Sequence, residues 1–308
     1  MLRNGDFMND RSLALSHLTV AAQDVAMLSN EERRRHMRGD RWIAYTRAQI
    51  ALDRMDELLK WPRKQRMPNL LMIGPTNNGK TMIVEKFRKD HAAMVHEGSN
   101  REVIPIVVTQ VPCEPSVARF YAMVLASIGA PIRPHTRVVE LEQLAIRLLR
   151  SVKTEILIID ELHNILAGGT HVRRAMLNLI KFLGNELRIP IVGVGTREAY
   201  LAIRTDDQLE NRFEPLLLPV WEEGEELLTL LASFAVVLPL KRPSEIATTE
   251  MSKYILGKTG GTIGEIVKLL TAAAIQAVDT GEECINQRTL KLANYESPSE
   301  RRRAFERC

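Results

Sequence analysis

The chain has 308 residues, of which 45% are hydrophobic, and a formal net charge of +4, values that suit one medium-sized domain with a smaller second domain. Its three cysteines, Cys113, Cys284 and Cys308, are far apart and form no Cys-x-x-Cys pair, which excludes a disulfide framework or a zinc site and is typical of a reducing compartment. The amino terminus lacks the apolar core of a signal peptide, and the most apolar stretch, residues 227–240, is too short to span a bilayer, so we expect a cytoplasmic protein with no membrane contact.

Residues 1–41 are predicted to form an N-terminal arm that contains a basic helix. Ser29 and Glu32 have the spacing of a capping box, and five arginines follow within residues 33–41. Such a run is usually a solvated helix face, and contact with nucleic acid or a protein partner is the alternative. Apolar residues at helical spacing over 42–60 then open a domain that we expect to span residues 42–220.

Residues 74–81 read GPTNNGKT and match the phosphate-binding pattern G-x-x-x-x-G-K-[ST] without a mismatch. The apolar run 69–73 before them predicts a buried strand, and the spacing over 82–96 predicts a helix. A sharp strand-to-helix turn directs backbone N–H groups and the positive helix end to one place, which suits a polyphosphate. A simple turn that binds nothing is the alternative. The residues predicted to bind the nucleotide are Gly74, Pro75, Thr76, Asn77, Asn78, Gly79, Lys80, Thr81 and Met82.

Apolar runs alternate with helical segments after this loop, which predicts an α/β fold: a mostly parallel five-stranded sheet with helices on both faces. From residue 221 onward the pattern is helical only, which predicts a small helical second domain over 221–296, followed by an Arg-rich tail, frayed or partner-binding, over 297–308. The further predicted strands are 103–109, 155–161, 189–196 and 215–219, and the predicted helices are 116–128, 138–151, 172–187 with Thr170 as a cap, 222–237, 248–258, 263–278 and 286–293.

Two acids end the third predicted strand, and ligands of such sheets collect at the carboxyl ends of strands. Lys80 would reach the β- and γ-phosphates of ATP, while Thr81 and Asp160 would hold Mg²⁺. Glu161 could accept a proton from the water that attacks the γ-phosphate, which favours hydrolysis over transfer to another acceptor. His163 is expected to cap or pack beside the acids. ATP and Mg²⁺ are therefore the predicted cofactors.

Three further side chains are candidates for sensing or stabilising the γ-phosphate. Thr196, at the end of the fourth predicted strand, could hydrogen-bond the γ-phosphate or the attacking water, although an ordinary turn threonine is the alternative. Arg212, before the fifth predicted strand, could reach a neighbouring subunit's γ-phosphate if subunits assemble. Arg204 is the competitor for that role.

In order, the phosphate loop, the acidic strand end, the strand-end threonine and the helical lid resemble an AAA+ P-loop NTPase. Four motifs, at residues 157–161, 190–196, 207–213 and 260–264, resemble the TniB family of transposition ATPases and its relative TnsC, over roughly residues 30 to 295. The resemblance implies an ATP-dependent regulator that forms a ring or helical filament on duplex DNA, joins a target-selection factor of the TniQ type to a DDE-type transposase, and disassembles on hydrolysis.

The resemblance also implies roles for individual residues. Ser116, Thr136 and Arg137 would line the DNA, and Ile43 and Tyr45 would cover the adenine base.

One position departs from the family's pattern. Relatives commonly have an arginine where this chain has Glu265, so a lid cation is missing unless Lys268 substitutes, and slow intrinsic turnover is expected. The alternatives are a non-catalytic ATP-gated DNA scaffold and a helicase-loader or replication-initiator ATPase. A small-molecule kinase is the least favoured.

Overall fold

A computed structural model describes residues 15–95, 102–133 and 135–307. The first 14 residues of the predicted arm, the predicted end of a helix at residue 96 and the last residue of the tail lie outside these ranges. Two units make up the described part of the chain. One spans Arg47–Pro219, and the other ends at Thr46 and resumes at Val220. The prediction set residues 1–41 apart as an arm, whereas in the structure the N-terminal helices belong to the same unit as the C-terminal ones.

The first unit, which we call the α/β unit, is built on a parallel five-stranded sheet, as predicted. Its strand order, β4-β5-β6-β1-β7, does not follow the sequence. Strands β1, β5 and β6 are buried along their whole length, which explains why their apolar runs do not alternate with polar residues. The strands are β1 (Asn69–Ile73), β4 (Ile106–Gln110), β5 (Ile156–Asp160), β6 (Ile191–Gly195) and β7 (Phe213–Leu217), with a separate antiparallel pair, β2 (Met94–Val95) and β3 (Glu102–Val103).

The register brings the carboxyl ends of β1, β5 and β6 to one edge of the sheet. Ile73 lies beside Gly195, and Ile159 lies beside Gly193. The phosphate loop, the two acids and Thr196 each follow one of these strands directly, so this carboxyl edge gathers them.

Helices pack on the sheet and supply much of its core. A large cluster of buried side chains joins the sheet to α5, α6, α7 and a 3₁₀ helix. The helices of this unit are α3 (Thr46–Leu59), α4 (Lys80–Asp90), α5 (Val117–Ser127), α6 (Val138–Ser151), the 3₁₀ helix (Leu162–Ala167), α7 (Thr170–Leu187), α8 (Arg197–Ile203) and α9 (Asp207–Glu210).

Three predicted elements of the α/β unit need correction. The helix predicted over 82–96 begins at Lys80 and ends at Asp90, where His91 leaves the helical conformation. The strand predicted over 103–109 is interrupted before Ile106 by Pro105, which has no N–H to donate to a ladder. Thr170 does not cap α7 but is its first residue, after Gly169.

The second unit, which we call the helical unit, has its own core around Trp221 and the long helix α12. No single helix in the described part of the chain has the length and apolar character to cross a membrane, although α11 and α12, bent by 112°, pass that test of length and composition as a pair. The helices of this unit are α1 (Val20–Ala26), α2 (Asn30–Arg38), α10 (Glu225–Val237), α11 (Thr249–Thr259), α12 (Ile263–Thr280), α13 (Gln287–Leu292) and α14 (Pro298–Glu306).

The Arg-rich tail, predicted as frayed or partner-binding, is folded as α14. Ser297 and Glu300 form a reciprocal capping box, and proline occupies the first helical position. Glu300 also pairs with Lys258 at 3.1 Å, and Arg301 pairs with Glu265 at 2.7 Å. Side-chain contacts therefore hold the helix to its unit, although α14 buries none of its own residues.

Candidate nucleotide-binding site

The phosphate loop connects the carboxyl end of β1 to the first turn of α4. Asn77, with φ of 60°, and Gly79, with φ of 81°, take left-handed conformations, and such turns orient successive amides toward one point. A Cβ at Gly74 would lie 2.7 Å from the carbonyl oxygen of Leu218, so only glycine fits there. Asn78 is buried and donates from Nδ2 to the same carbonyl oxygen at 2.7 Å. The loop is therefore held against the segment after β7.

The rest of the predicted nucleotide-binding residues of this loop and helix are accessible. Pro75 and Thr76 are exposed on the loop, and Thr81 and Met82 are exposed on the first turn of α4. This exposure leaves the outer side of the loop open to a ligand.

Lys80 is buried at the start of α4. Its ammonium donates to the carbonyl oxygens of Gly74 at 2.8 Å and Pro75 at 2.7 Å. Burial lowers the pKa of this ammonium, and attraction to Asp160 and Glu161 opposes the shift. Lys80 of the loop thus interacts electrostatically with Asp160 and Glu161, the two acids at the end of β5.

Thr81 and Asp160 meet across the carboxyl edge of the sheet. Thr81 donates from Oγ1 to Oδ2 of Asp160 at 3.0 Å, and the other carboxylate oxygen accepts the N–H of Glu161 at 2.7 Å. Hydroxyl and carboxylate oxygens are ligands that Mg²⁺ prefers. Over the described ranges, no cluster of three or more His, Cys, Asp or Glu side chains could hold a metal alone. The residues therefore fit a magnesium ion that also binds phosphate and water oxygens.

Glu161 directly follows Asp160 and has a left-handed backbone, with φ of 53° and ψ of 35°. For a residue with a side chain this conformation costs about 1 kcal/mol or more. The Oε2 atom of Glu161 lies 3.1 Å from Nε2 of His163. His163 therefore packs beside the acids, where the sequence placed it.

Thr196 lies at the same edge, between β6 and α8. Its hydroxyl donates to the carboxylate of Glu198 and makes no cap bond to the backbone of α8. The preceding Gly195 allows a close approach, because a Cβ there would lie 2.7 Å from the Cβ of Ala199. Thr196 is thus positioned with Lys80, Asp160 and Glu161 along the edge.

Arg212 lies at the opposite, amino edge of the sheet, directly before β7. Its guanidinium donates to Oδ1 of Asn185 at 2.9 Å, and its carbonyl oxygen accepts the N–H of Asn69, the first residue of β1. Five-residue β1 separates this edge from the phosphate loop, a length of about 13 Å at the usual rise of a strand. The structure does not bring Arg212 to the loop of its own chain.

Arg204, the competing arginine, is engaged locally. Its Nε lies 3.1 Å from Oε1 of Glu210, and its guanidinium lies 5.5 Å from the centre of the Tyr200 ring.

The three residues expected to line DNA lie at the starts of two helices. Ser116 caps α5, accepting the N–H of Arg119 at 3.2 Å. Thr136 donates to the carbonyl oxygen of Arg133 at 2.7 Å, and Arg137 is the exposed N-cap of α6 without a side-chain cap bond. No hydrogen bond or ion pair of the described residues joins Ser116 to the other two.

Ile43 and Tyr45 belong to the helical unit. Ile43 is buried in the core of that unit, and the Tyr45 ring packs edge-on against Trp221 with ring centres 5.4 Å apart. Their role over the adenine base stays a prediction.

Glu265, which stands where an arginine was expected, is a buried carboxylate with several donors. The Tyr295 hydroxyl donates to it at 2.8 Å, Arg301 lies at 2.7 Å and Lys268 at 3.9 Å. Burial raises the pKa of this carboxyl, but the bonds from Arg301 and Tyr295 outweigh burial, so the net shift is downward. Two cations of the helical unit, Lys268 and Arg301, therefore lie beside Glu265.

Sequence reasoning missed the side chains that hold the predicted site residues in place. The sequence placed Asn78 in the loop but did not predict its hydrogen bond to Leu218. Asn185 and Glu198 were not predicted to contribute to the site. Glu198 follows Thr196 by two residues in the first turn of α8, a local signal that could have been used. Asn185 lies in a different helix from its partner Arg212, so no local pattern could have found it.

The comparison with protein families gives one match. The model of the family described as "Bacterial TniB protein" matches residues 33–223, which is more than half of the chain. Curated proteins gave no match to this sequence.

Solved structures resemble the chain across most of its length. ORC2 of Aeropyrum pernix, solved as ADPNP–ADP complexes, has 14% identity and a TM-score of 0.55, covering 84% of this chain and 70% of that one. Cdc6p of Pyrobaculum aerophilum has 15% identity and a TM-score of 0.55, covering 81% and 67%. Drosophila ORC bound to DNA has 12% identity and a TM-score of 0.56, covering 94% and 73%. These neighbours are AAA+ P-loop ATPases, and the likeness shows that this chain has the AAA+ fold.

Proposed function

The chain belongs to the TniB family, and from that membership we propose that it is an ATP-dependent, DNA-binding regulator of DNA transposition. With ATP and Mg²⁺ it assembles on duplex DNA, without sequence preference, as a ring or helical filament of identical subunits. The assembly links a target-selection factor of the TniQ type to a DDE-type transposase, and hydrolysis of ATP disassembles it. We place this activity in the cytoplasm.

The observation that carries the proposal is the meeting of Thr81 and Asp160, 3.0 Å apart, beside the loop that carries Lys80. Such an arrangement supports the binding of a nucleotide triphosphate with magnesium. Thr81 and Asp160 would hold Mg²⁺, which would supply positive charge against the charge that develops on the phosphates. Lys80 would stabilise the β- and γ-phosphates from the loop.

Glu161 and Thr196 support hydrolysis as the reaction. Water attacks the γ-phosphorus, the bond to the bridging oxygen of ADP breaks, and Glu161 accepts the proton of the water. Thr196 would hydrogen-bond the γ-phosphate or that water. We expect slow turnover by the isolated chain, because Glu265 stands at the lid position where an arginine would contact the γ-phosphate.

Binding to DNA is supported by charge and by one structural neighbour. The chain has a net charge of +4, and exposed Arg137 caps α6 after a loop with a second exposed arginine, Arg133. One solved structure of similar fold, Drosophila ORC, is bound to DNA. We propose Ser116, Thr136 and Arg137 as contacts to phosphates, which hold a duplex without reading its sequence.

A non-catalytic, ATP-gated DNA scaffold is the alternative, and Glu161→Gln discriminates between the two. An enzyme with this variant would lose ATP hydrolysis and stay on DNA longer, whereas a scaffold would barely change. The fold is also compatible with a replication initiator, because ORC and Cdc6p resemble it, but the family match favours transposition.

Fluorescence anisotropy on a random-sequence duplex tests the proposal. We expect tight, cooperative binding with ATP and Mg²⁺, weak binding with ADP or without nucleotide, and a steep loss of affinity as salt rises, since phosphate contacts release counterions. Lys80→Ala should remove the dependence on ATP, and Arg137→Ala should lower affinity and flatten the salt dependence. Binding that ignores the nucleotide, or no binding, would contradict the proposed mechanism.

A further inference from the structure

His163 joins the segment of Glu161 to the segment of Thr196. Its Nε2 lies 3.1 Å from Oε2 of Glu161, and within the described ranges it is the only hydrogen-bond or ion-pair partner of that carboxylate. On the other side of the ring, a Cβ at Gly195 would lie 3.3 Å from Nδ1. The ring therefore packs closely against the residue that precedes Thr196.

The surroundings of the ring fix its proton. Nδ1 is buried, and no described residue bonds to it. A buried N–H without an acceptor is rarer than a buried lone pair without a donor, so we assign a proton to Nε2, the ring nitrogen that faces Glu161. Nε2 then faces Oε2 of Glu161 at 3.1 Å, and among the described residues Oε1 of Glu161 has no such partner.

We propose that His163 is a positioning residue for hydrolysis: it holds Oε2 of Glu161 so that Oε1 faces the attacking water and accepts its proton. A glutamate with 45% of its side chain exposed would otherwise sample several rotamers. A base that is oriented by a second group is a general device of hydrolytic sites. The inference rests on the proposed function, because it requires Glu161 to act as the base.

The same ring couples Glu161 to Thr196. Thr196 bonds to Glu198, and that bond lowers the pKa of the Glu198 carboxyl. A movement of residues 195–196 that accompanies contact with the γ-phosphate would press on the ring. His163 then transmits the state of the γ-phosphate to the orientation of Glu161.

Two substitutions at position 163 separate positioning from packing. The amide nitrogen of glutamine can take the place of Nε2 and still donate to Glu161, whereas alanine cannot. His163→Ala should lower kcat for ATP about tenfold or more, with the affinity for a fluorescent ATP analogue unchanged. His163→Gln should recover most of kcat. In a Glu161→Gln background, His163→Ala should have no further effect on kcat.

The outcomes distinguish this inference from the proposed function. Equal hydrolysis by wild type and Glu161→Gln would contradict the proposed function. Glu161-dependent hydrolysis that falls equally in His163→Ala and His163→Gln, or does not respond to His163→Ala, would overturn the inference alone.

A measurement without turnover tests the contact itself. The ¹⁵N shifts of the His163 ring, assigned by comparison with His163→Gln, should show the Nε2–H tautomer and a displaced Nε2 signal in Glu161→Gln. An Nδ1–H tautomer, or an unmoved signal, would also overturn the inference.

Discussion

Gly74 shapes the phosphate loop because it has no side chain. Gly74→Ala would place a methyl group 2.7 Å from the backbone oxygen of Leu218, which cannot rotate away, and would compete with the Asn78 bond to that oxygen. The loop must shift to accept it. We expect at least about a tenfold loss of affinity for a fluorescent ATP analogue, since a displaced loop loses amide contacts worth about 1.5–3 kcal/mol each to a charged ligand.

Gly257 provides the matched control for this substitution. It lies inside α11, and apart from its own helix backbone and chain neighbours no atom of the described residues lies within 4 Å of the place that a Cβ would take. Gly257→Ala should therefore bind the analogue like wild type. Its free energy of unfolding should rise by about 0.5–1 kcal/mol, as expected of glycine to alanine within a helix. Affinity of wild-type strength in Gly74→Ala would show that the contact with Leu218 does not shape the loop.

Single residues of the site differ in how far the sequence could predict them. The pattern G-x-x-x-x-G-K-[ST] fixes the identity and spacing of Gly74, Lys80 and Thr81, because backbone and phosphate geometry leave few alternatives. Arg33 shows the limit. A run of arginines normally indicates a solvated face, yet the Arg33 guanidinium is completely buried and bonds to Glu283, 250 residues away. No local pattern contains such a partner.

At the scale of elements, this pair fastens α2 to the segment that follows α12. Nη1 of Arg33 donates to Glu283 at 2.8 Å, and Nη2 donates to the carbonyl oxygen of Pro239 at 2.8 Å. Removing one partner of a buried pair leaves a charge without compensation. Glu283→Gln should therefore lower the free energy of unfolding by about 3 kcal/mol at pH 7, measured by urea denaturation.

The effect of Glu283→Gln should depend on pH. Burial raises the pKa of Glu283, but the bonds from Arg33 and from the N–H of Lys241 outweigh burial and lower it below 4.5. A carboxyl with a lowered pKa in the folded state stabilises above its unfolded pKa and loses that contribution as pH falls through the folded value. The difference between wild type and variant should thus shrink below about pH 4.5.

Asp279, near the end of α12, gives the control. It pairs with Arg34, and both side chains are about a third or more exposed. Asp279→Asn should change the free energy of unfolding by less than about 1 kcal/mol. Equal losses in Glu283→Gln and Asp279→Asn would mean that burial of Arg33 does not set the strength of the pair.

Two long helices followed the sequence closely. The helix predicted over 138–151 has those bounds as α6, and the one predicted over 263–278 extends to Thr280. The 3₁₀ helix Leu162–Ala167 was missed, because six residues give too little periodicity to detect. Helix α14 was missed for another reason: its capping box is present in the sequence, but its polar, Arg-rich composition is also typical of a frayed or partner-binding tail.

At the scale of the molecule, the sequence predicted the five parallel strands but not their order. Alternation of strands and helices indicates a parallel sheet, whereas neighbours such as β1 and β7 are set by tertiary packing over long distances in sequence. Strands β1 and β7 are parallel neighbours, so both begin at one edge of the sheet and end at the other. The phosphate loop follows β1 and Arg212 precedes β7, and they therefore lie at opposite edges.

Because of this separation, we expect any role of Arg212 in hydrolysis to be played between subunits. It lines an open cleft of about 630 Å³ at the amino edge, together with Lys64 and Arg66. In a head-to-tail assembly, this edge of one chain can meet the carboxyl edge of the next. Arg212→Ala should then lower kcat about 1,000-fold, with ATP affinity retained, as removal of an arginine finger does.

Mixing two inactive variants tests the arrangement directly. Arg212→Ala keeps Glu161, and Glu161→Gln keeps Arg212, so an interface formed by the phosphate loop of the first and the arginine of the second is complete. With equal amounts and random assembly on DNA, about a quarter of interfaces should be complete, and hydrolysis should return to about that fraction of the wild-type rate. If Arg212 acted within its own chain, every site would still lack one group and mixing would restore nothing. The activity of Arg204→Ala alone distinguishes the competing arginine, because this variant should stay active when Arg212 is the residue that crosses the interface.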